Sequence, residues 1–337
     1  MAVTINDVAR EAGVSITTVS RVLNNNYPVK KETRIKVEET IKRLNYKPNE
    51  MARSLITKKT SMIGVVVPGI TNLFFPTIVE EFENNVKAKG YSISLSNTYG
   101  DVAEEKKLIE THKSRQIDGM IVINPTYENM EKGLIDNISS TIPTIVINGS
   151  GKGADSNFIS YDEEVGTKEA FRYLLELNHT KIAFVRGKKS YSYDIKQKIY
   201  ENIIEEKHLD YKNILTVKQS NSVDVVEIVE KKIIELLSDK DRPTAIFACN
   251  ELMALGVINA SKNLGLKIPD DISLISCDNT LLSKICSPKL TTIDLRMKEI
   301  GKKAALELIN IIEKEIKNKR KIVLNTKLII RDSCRSI

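Results

Sequence analysis

Two short amphipathic segments that meet at a glycine impose the tightest constraint on how this chain begins to fold. Apolar side chains in the first segment recur at the spacing of one helical face, at Ile5, Val8, Ala9 and Ala12. Thr4 and Asp7 have the spacing of a capping box, which satisfies free N–H groups at a helix start. Gly13 suits the left-handed position that ends a helix. We therefore predict a first helix that ends in a tight turn.

The second segment has one inward and one outward face. Ser15 can cap its start, and the inward residues are Val19, Val22 and Leu23. The outward residues are Ile16, Thr17, Ser20, Arg21 and Asn24. Such side chains suit the DNA major groove, because arginine can fork onto guanine and an aliphatic group can touch a thymine methyl. A third helix is predicted from about Lys31 to Leu44, with Tyr46 closing a small core.

Charge distinguishes a helix-turn-helix from a generic three-helix bundle, which the spacing alone leaves equally open. Residues 1–60 contain 12 lysines and arginines but only 6 acidic residues, whereas the whole chain has a net charge of +7. Nearly all the excess positive charge therefore lies on one-sixth of the chain. This asymmetry is typical of a module that binds nucleic-acid phosphates.

The same stretch resembles the DNA-binding headpiece of the LacI/GalR family of bacterial repressors. The matching residues run from Thr4 to Ala9, Ala12 to Ser15 and Thr18 to Asn24, and continue through Tyr46-Lys47-Pro48-Asn49, Ala52, Arg53 and Leu55. The resemblance implies a DNA-binding domain over 1–48 and a hinge helix with linker over 49–60. The DNA-binding residues it implies are Thr4, Ser15, Ile16, Thr17, Thr18, Ser20, Arg21, Asn24, Asn49, Ala52, Arg53 and Leu55.

The segment after Pro48 is about two helical turns long, which is marginal for a helix without packing. In the family this hinge helix orders on the operator and inserts a leucine into the minor groove, and Leu55 occupies that position. An apolar wedge of this kind unstacks a base step and kinks the duplex. The alternative is an ordinary linker helix with Leu55 packed on a core.

From residue 60 onward, apolar runs alternate with amphipathic stretches, which predicts parallel strands and helices in doubly wound sheets. The predicted strands are Met62–Val67, Tyr91–Leu95, Met120–Ile123, Thr144–Ile147, Ile182–Val185, Ala245–Ala248 and Ser273–Ser276. The predicted helices are Phe75–Lys89, Ala103–Arg115, Glu163–Glu176, Val225–Leu237 and Glu251–Leu264. The resemblance implies a periplasmic-binding-protein-like core with one lobe of 61–161 plus 292–321 and another of 162–291 plus 322–337. The expected fold is thus a small all-α headpiece followed by an α/β core of two parallel-sheet lobes.

A ligand cleft is expected where loops leave the carboxyl ends of the strands. The resemblance implies a small-molecule effector there, typically a carbohydrate, held by Asn72, Phe74, Phe75, Asn97, Asn148, Lys196, Ser220, Asn250 and Asp278. Lys196 stands where many members have arginine, and Ser220 near a position where several have an aromatic residue. A phosphorylated or acidic ligand drawn to Lys188, Lys189, Lys196 and Lys198 is a competing hypothesis, as is a merely solvated lysine cluster. Asn250 can equally be a helix N-cap and Asp278 an Asx-turn.

Other roles would each need features of their own in the sequence. Catabolite control proteins of the family use a serine-phosphorylated carrier protein as corepressor, but the corresponding helix from Met297 offers lysines and only the nearby Arg296. A non-DNA-binding α/β binding protein would lack the headpiece, and an enzyme would need a nucleotide motif or catalytic set, neither of which is recognisable. No catalytic residue, metal site or cofactor is expected. The four cysteines show no metal-binding spacing.

The expected partners follow from symmetry and composition. A two-fold protein matches two-fold DNA, so we expect a homodimer on a pseudo-palindromic double-stranded operator. The chain has neither a long apolar run nor a signal-peptide pattern, so no membrane association and a cytoplasmic location are expected.

Overall fold

The computed structural model describes residues 3–24, 27–47, 59–149, 155–188, 190–218, 221–314 and 318–337. The chain forms two compact units, Met1–Thr60 and Ser61–Ile337. The smaller unit contains helices α1 (Ile5–Ala12), α2 (Ile16–Asn24) and α3 (Lys31–Arg43). Its core consists of Val8, Ala9, Ala12, Val19, Val22 and Val37, with Leu23 and Tyr46 packed against it.

The turn between the first two helices forms as predicted. Thr4 and Asp7 form a reciprocal capping box, in which the Thr4 N–H donates to Asp7 Oδ2 at 3.0 Å. Gly13 ends α1 with a φ of 64°, a conformation that costs glycine little and other residues more. Ser15 Oγ accepts from the Thr18 N–H at 3.2 Å, so it caps α2.

The larger unit contains two six-stranded sheets. The first has the order β11-β5-β4-β3-β1-β2 and the second β12-β10-β9-β8-β6-β7. The strands of the first sheet are β1 (Met62–Val67), β2 (Ser92–Asn97), β3 (Gly119–Ile123), β4 (Thr144–Asn148), β5 (Asn157–Asp162) and β11 (Lys321–Asn325). Those of the second are β6 (Ile182–Gly187), β7 (Asn213–Val217), β8 (Ala245–Ala248), β9 (Ser273–Asp278), β10 (Thr291–Asp294) and β12 (Lys327–Ile329).

All pairings are parallel except the one between β10 and β12. The central strands are buried on both faces, as in β3 and β4, because helices cover both sides of each sheet. The helices are α4 (Phe74–Lys87), α5 (Val102–Ser114), α6 (Tyr127–Glu131), α7 (Leu134–Ser139), α8 (Glu163–Glu176), α9 (Tyr191–Glu206), α10 (Val225–Leu237), α11 (Glu251–Asn263), α12 (Leu281–Ile285) and α13 (Met297–Lys314).

The chain crosses between the lobes at slightly different points from those expected. Thr291–Asp294 pairs with β9 in the second sheet, although residues from 292 were assigned to the first lobe. Lys321–Asn325 pairs with β5 in the first sheet, although residues from 322 were assigned to the second lobe. In both places the chain crosses to the other lobe only after the strand has ended, because the hydrogen bonds along the strand keep all of its residues in one sheet.

The predicted fold class is confirmed. Each predicted strand and helix of the headpiece and core is present, with ends shifted by a few residues at most positions, whereas the predicted hinge helix lies outside the described residues. Within the described part of the chain, no helix is long and apolar enough to span a membrane. The same residues contain no cluster of histidine, cysteine and carboxylate side chains suited to a metal ion.

Candidate nucleic-acid interface and ligand cleft

The outward face of α2 presents polar and aliphatic groups on a rigid support. Ile16, Thr17, Arg21 and Asn24 are exposed, and Ser20 is half-buried. The buried Val19 and Val22 hold the opposite face against α1 and α3. Asn24 Nδ2 donates to Ser20 Oγ at 3.2 Å, which orders the far end of this face.

Arg21 has a neighbour that sequence reasoning missed. Its guanidinium carbon lies 5.0 Å from the ring centroid of Tyr27, in cation–π geometry. Both side chains are exposed. The ring therefore orients the arginine without neutralising it, and its N–H donors stay available for a base or a phosphate. Of the predicted site residues, Asn49, Ala52, Arg53, Leu55 and Ser220 lie outside the described residues.

A large cleft opens between the carboxyl ends of the strands of the two sheets. Its volume is about 1070 Å³, which is enough for a small ligand with its water. The first lobe contributes the loop from Pro68 to Thr71, Asn97 at the end of β2, and residues 124–128 after β3. The second lobe contributes Arg186, Lys188 and Lys218, which end or follow β6 and β7.

A much smaller inner cavity of about 30 Å³ shares four lining residues with the cleft: Asn124, Ser190, Tyr193 and Asn221. It can hold one water or one hydroxyl group. Six predicted effector residues line it: Asn72, Phe74, Phe75, Lys196, Asn250 and Asp278. Its wall combines amides and hydroxyls with aromatic rings, as small polar ligands require.

Aromatic packing fixes the first-lobe side of this cavity. Phe74 and Phe75 meet edge to face with centroids 5.1 Å apart, and Phe74 meets Tyr161 in the same way at 5.7 Å. Asn72 Oδ1 accepts from the Phe74 N–H at 3.0 Å. The amide of Asn72 is thus held at the start of α4, beside the rings.

A buried ion pair lies at the second-lobe side. Lys196 Nζ contacts Glu163 Oε2, and both side chains are only 1 % exposed. Nζ also donates to Ser192 Oγ at 2.6 Å. Burial is the largest single effect and would lower the pKa of Lys196, but the facing Glu163 carboxylate together with the nearby Cys277 and Cys249 outweighs it, so the pKa is raised. The ammonium therefore stays charged and is already paired.

Asn250 and Asp278 come from neighbouring strands β8 and β9. Asn250 Oδ1 accepts from the Met253 N–H at 2.8 Å, so the N-cap role is present, while its Nδ2 faces Tyr193 Oη at 3.4 Å. Asp278 has a φ of 113°, and its buried Oδ2 accepts no hydrogen bond from the described residues. Burial, and then the nearby Glu251, raise the pKa of Asp278 well above its ordinary value. Its carboxyl group can therefore donate as well as accept a hydrogen bond.

The two lobes also touch directly at three points across the cleft. Tyr127 of the first lobe stacks on Tyr191 of the second with centroids 4.5 Å apart. The Val223 N–H donates to Thr71 Oγ1 at 3.2 Å. A Cβ atom added to Gly69 would lie only 2.6 Å from the Asn221 carbonyl oxygen. These contacts join the two lobes through side-chain and backbone atoms.

The remaining predicted residues have different positions. Asn97 lines the outer cleft, where its Oδ1 accepts from the Tyr99 N–H at 3.1 Å. Asn148 is buried at the end of β4 and lines neither of these two cavities. Sequence reasoning missed other lining residues, among them Asn124, Tyr161, Arg186, Tyr191, Tyr193 and Asn221. Asn124 could have been predicted from the sequence, because this residue directly follows the predicted strand that ends at Ile123.

Comparison with known proteins agrees with this architecture. The family of bacterial regulatory proteins of the lacI type matches residues 4–49, and a periplasmic binding protein-like domain matches residues 171–334. Catabolite control protein A of Priestia megaterium is 37% identical over 320 residues, which cover 94% of each chain.

Solved structures resemble both units. The lac repressor dimer bound to operator and the anti-inducer ONPF has a TM-score of 0.87 and 25% identity, covering 100% of both chains. A periplasmic binding protein/LacI transcriptional regulator from Alkaliphilus metalliredigens QYMF, complexed with D-xylulofuranose, has a TM-score of 0.71 and 26% identity. That similarity covers 82% of this chain and 100% of the other.

Proposed function

Because this chain belongs to the lacI family of bacterial regulatory proteins, we propose that α2 binds operator DNA and that the cleft binds a small effector controlling that affinity. The chain is a DNA-binding transcriptional regulator, and the matched relative is a regulator rather than an enzyme. We place the regulator in the cytoplasm, with the chromosome that it binds. It acts as a homodimer, so two headpieces meet the two half-sites of a pseudo-palindrome.

In the headpiece, we assign base contacts to the outward face of α2, with Arg21 as the principal hydrogen-bond donor. Thr4, Ser15 and Thr18 lie at or near the starts of α1 and α2, where N–H groups and hydroxyls suit phosphates. From the family resemblance we assign Asn49, Ala52, Arg53 and Leu55 to the minor groove, with Leu55 as the wedge.

In the core, we propose an uncharged, hydroxylated effector such as a sugar. The carrying observation is the inner wall of amides, hydroxyls and aromatic rings, in which the one lysine is already paired with Glu163. The related regulator complexed with D-xylulofuranose supports the same ligand class. Of the four lysines in the phosphorylated-ligand hypothesis, Lys198 is exposed on α9 and Lys196 is paired with Glu163. Lys188 lines the outer cleft, and Lys189 lies outside the described residues.

The test combines operator selection with effector titration. A random duplex library selected on the purified dimer should yield a pseudo-palindrome, bound with a steep salt dependence from its phosphate contacts. Sugars from a thermal-shift screen should then change the operator Kd by about 5-fold to 150-fold. Equal affinity for selected and random duplexes would contradict specific binding, and operator affinity independent of every stabilising sugar would contradict effector control.

A protein corepressor is the second candidate, since the 37% identical relative is a catabolite control protein. Phosphoserine recognition favours arginine. Arg296, which directly precedes α13, already pairs with Glu299, and Lys303 lies 3.8 Å from the same carboxylate. A serine-phosphorylated carrier protein that tightened operator binding, with no response to any sugar, would favour this candidate.

A further inference from the structure

We propose that Glu163 sets the charge selectivity of the inner cavity, by compensating the charge of Lys196 so that this cavity accepts uncharged groups of a ligand and rejects anionic ones. The inference rests on the proposed effector function and specifies its ligand class. Lys196 is the single cation among the described residues that line the inner cavity. An anion placed there would have to compete with a carboxylate that already holds the ammonium group.

The ion pair has defined surroundings rather than an accidental position. Glu163 is the first residue of α8 and directly follows β5, the strand after which the chain leaves the first sheet. A Cβ atom on Gly149 would lie 2.7 Å from Glu163 Oε1 and 2.8 Å from its Cγ. The glycine therefore leaves the space that the Glu163 side chain fills. Ser192, one turn before Lys196, accepts a further hydrogen bond from the ammonium group.

The neighbouring charges strengthen the discrimination. Arg186 is buried beside the cavity, but its guanidinium donates to Asp194 Oδ1 at 2.6 Å and to Gln197 Oε1. Asp278 contributes a carboxyl group to the cavity wall. An unpaired buried anion is costly, and a phosphate or carboxylate ligand finds no unpaired cation among the described residues that line the inner cavity. A hydroxyl group, in contrast, can donate to or accept from the surrounding amides, hydroxyls and Asp278 Oδ2.

The experiment compares matched ligands on the full-length protein. Glucose, galactose and ribose are titrated calorimetrically against their phosphate esters, against glucuronate and against the cationic glucosamine. For the wild type we expect at least one neutral sugar to bind, and to bind about tenfold or more tightly than its anionic forms. Wild-type protein that bound a phosphate ester or glucuronate as tightly as the neutral sugar would overturn the proposal and leave the effector site intact.

Single substitutions then test the residue itself. Glu163→Gln leaves Lys196 unpaired and should raise the affinity for the anionic forms about tenfold, whereas Lys196→Gln should instead favour glucosamine. Glu163→Gln/Lys196→Gln should restore the wild-type preference. The control is Glu164→Gln, because Glu164 lies on the same turn but is exposed and pairs with Lys168 at 2.9 Å. It should leave all affinities unchanged.

Loss of one member of a buried pair can unfold a protein, so each variant is first checked by its thermal unfolding transition. Either single variant, if folded, decides the question, and the wild-type comparison decides it if neither folds. A folded Glu163→Gln protein with no gain in affinity for anions would overturn the role of Glu163. Failure of every sugar, neutral or charged, to bind the wild type and all variants would overturn the effector proposal together with this one.

Discussion

Replacing Gly69 with alanine tests whether the contacts across the cleft belong to only one arrangement of the lobes. The new Cβ would lie 2.6 Å from the Asn221 oxygen, about 0.8 Å short of the 3.4 Å at which ordinary van der Waals contact begins. The obstacle is backbone of the opposite lobe, so no side-chain rotation relieves it. Gly69 has no positive φ, so alanine fits its own backbone without strain.

The clash therefore penalises the arrangement in which the lobes touch and leaves each lobe unaffected. Overpacking of this kind costs about 1–3 kcal/mol. If effector binding requires the touching arrangement, Gly69→Ala should raise the effector Kd about 5-fold to 150-fold. The ligand-free protein should lose no stability, since alanine restricts the unfolded chain and stabilises by about 0.4–1 kcal/mol where its backbone fits.

The assay pairs calorimetric titration with the neutral sugar from the screen and thermal unfolding without ligand. Gly69→Val, which adds more bulk at the same point, should weaken effector binding further and thus provides a graded series. The reasoning is refuted if Gly69→Ala lowers the ligand-free transition temperature by several degrees while the effector Kd stays constant. That result would mean that the loops of Gly69 and Asn221 stay together in both states.

Three further changes test other parts of the structure. Arg21→Ala should weaken operator binding, measured by fluorescence anisotropy, by about 1–3 kcal/mol, with a much smaller effect on random duplexes. The control is Arg43→Ala, because the Arg43 side chain pairs with Glu11. Equal losses on both duplexes would make Arg21 a phosphate contact. Asp278→Asn should raise the free energy of unfolding more at pH 8 than at pH 4. The reason is that burial raises the pKa of Asp278 in the folded protein. The contribution of this carboxyl group to stability is therefore present below its unfolded-state pKa and is lost as the pH rises toward its folded-state pKa. Urea unfolding at both pH values measures the difference. Thr4→Ala removes the cap of α1 and should cost about 1 kcal/mol, visible as faster amide exchange across Ile5–Ala12, and unchanged exchange would show that the cap contributes nothing.

Local patterns made the headpiece and most of the core predictable. The turn at Gly13 depends on residues within ten positions of one another, so spacing and glycine chemistry suffice. The buried strands were equally clear, because a strand covered on both faces is a continuous apolar run. The strands that sequence reasoning missed include the edge strands Asn213–Val217 and Lys321–Asn325, which are partly exposed and lack such a run.

Only part of the candidate site could be predicted from the sequence, and the reason is a different one. Asn72, Asn250 and Asp278 follow strands along the chain, and parallel sheets bring such ends together by topology alone. The partner of Lys196 is Glu163, 33 positions earlier and in another helix, and no sequence pattern connects the two. The lysine was therefore treated as a free charge, whereas the structure pairs it.

The position of that pair connects ligand binding to the arrangement of the lobes. Glu163 begins the second-lobe helix α8, packs beside Gly149 of the first lobe and contacts Lys196 of the second. An effector controls DNA affinity only through a difference in its affinity for two arrangements. Complete switching, from one per cent to ninety-nine per cent, needs a difference of about 10⁴-fold. The hydrogen bond from Val223 to Thr71 and the stack of Tyr127 on Tyr191 supply about 0.5–1.5 kcal/mol each, which is less than such switching requires. The ligand must therefore contact both lobes. The pair of Glu163 and Lys196 lies where the chain crosses between the lobes and makes such a contact possible.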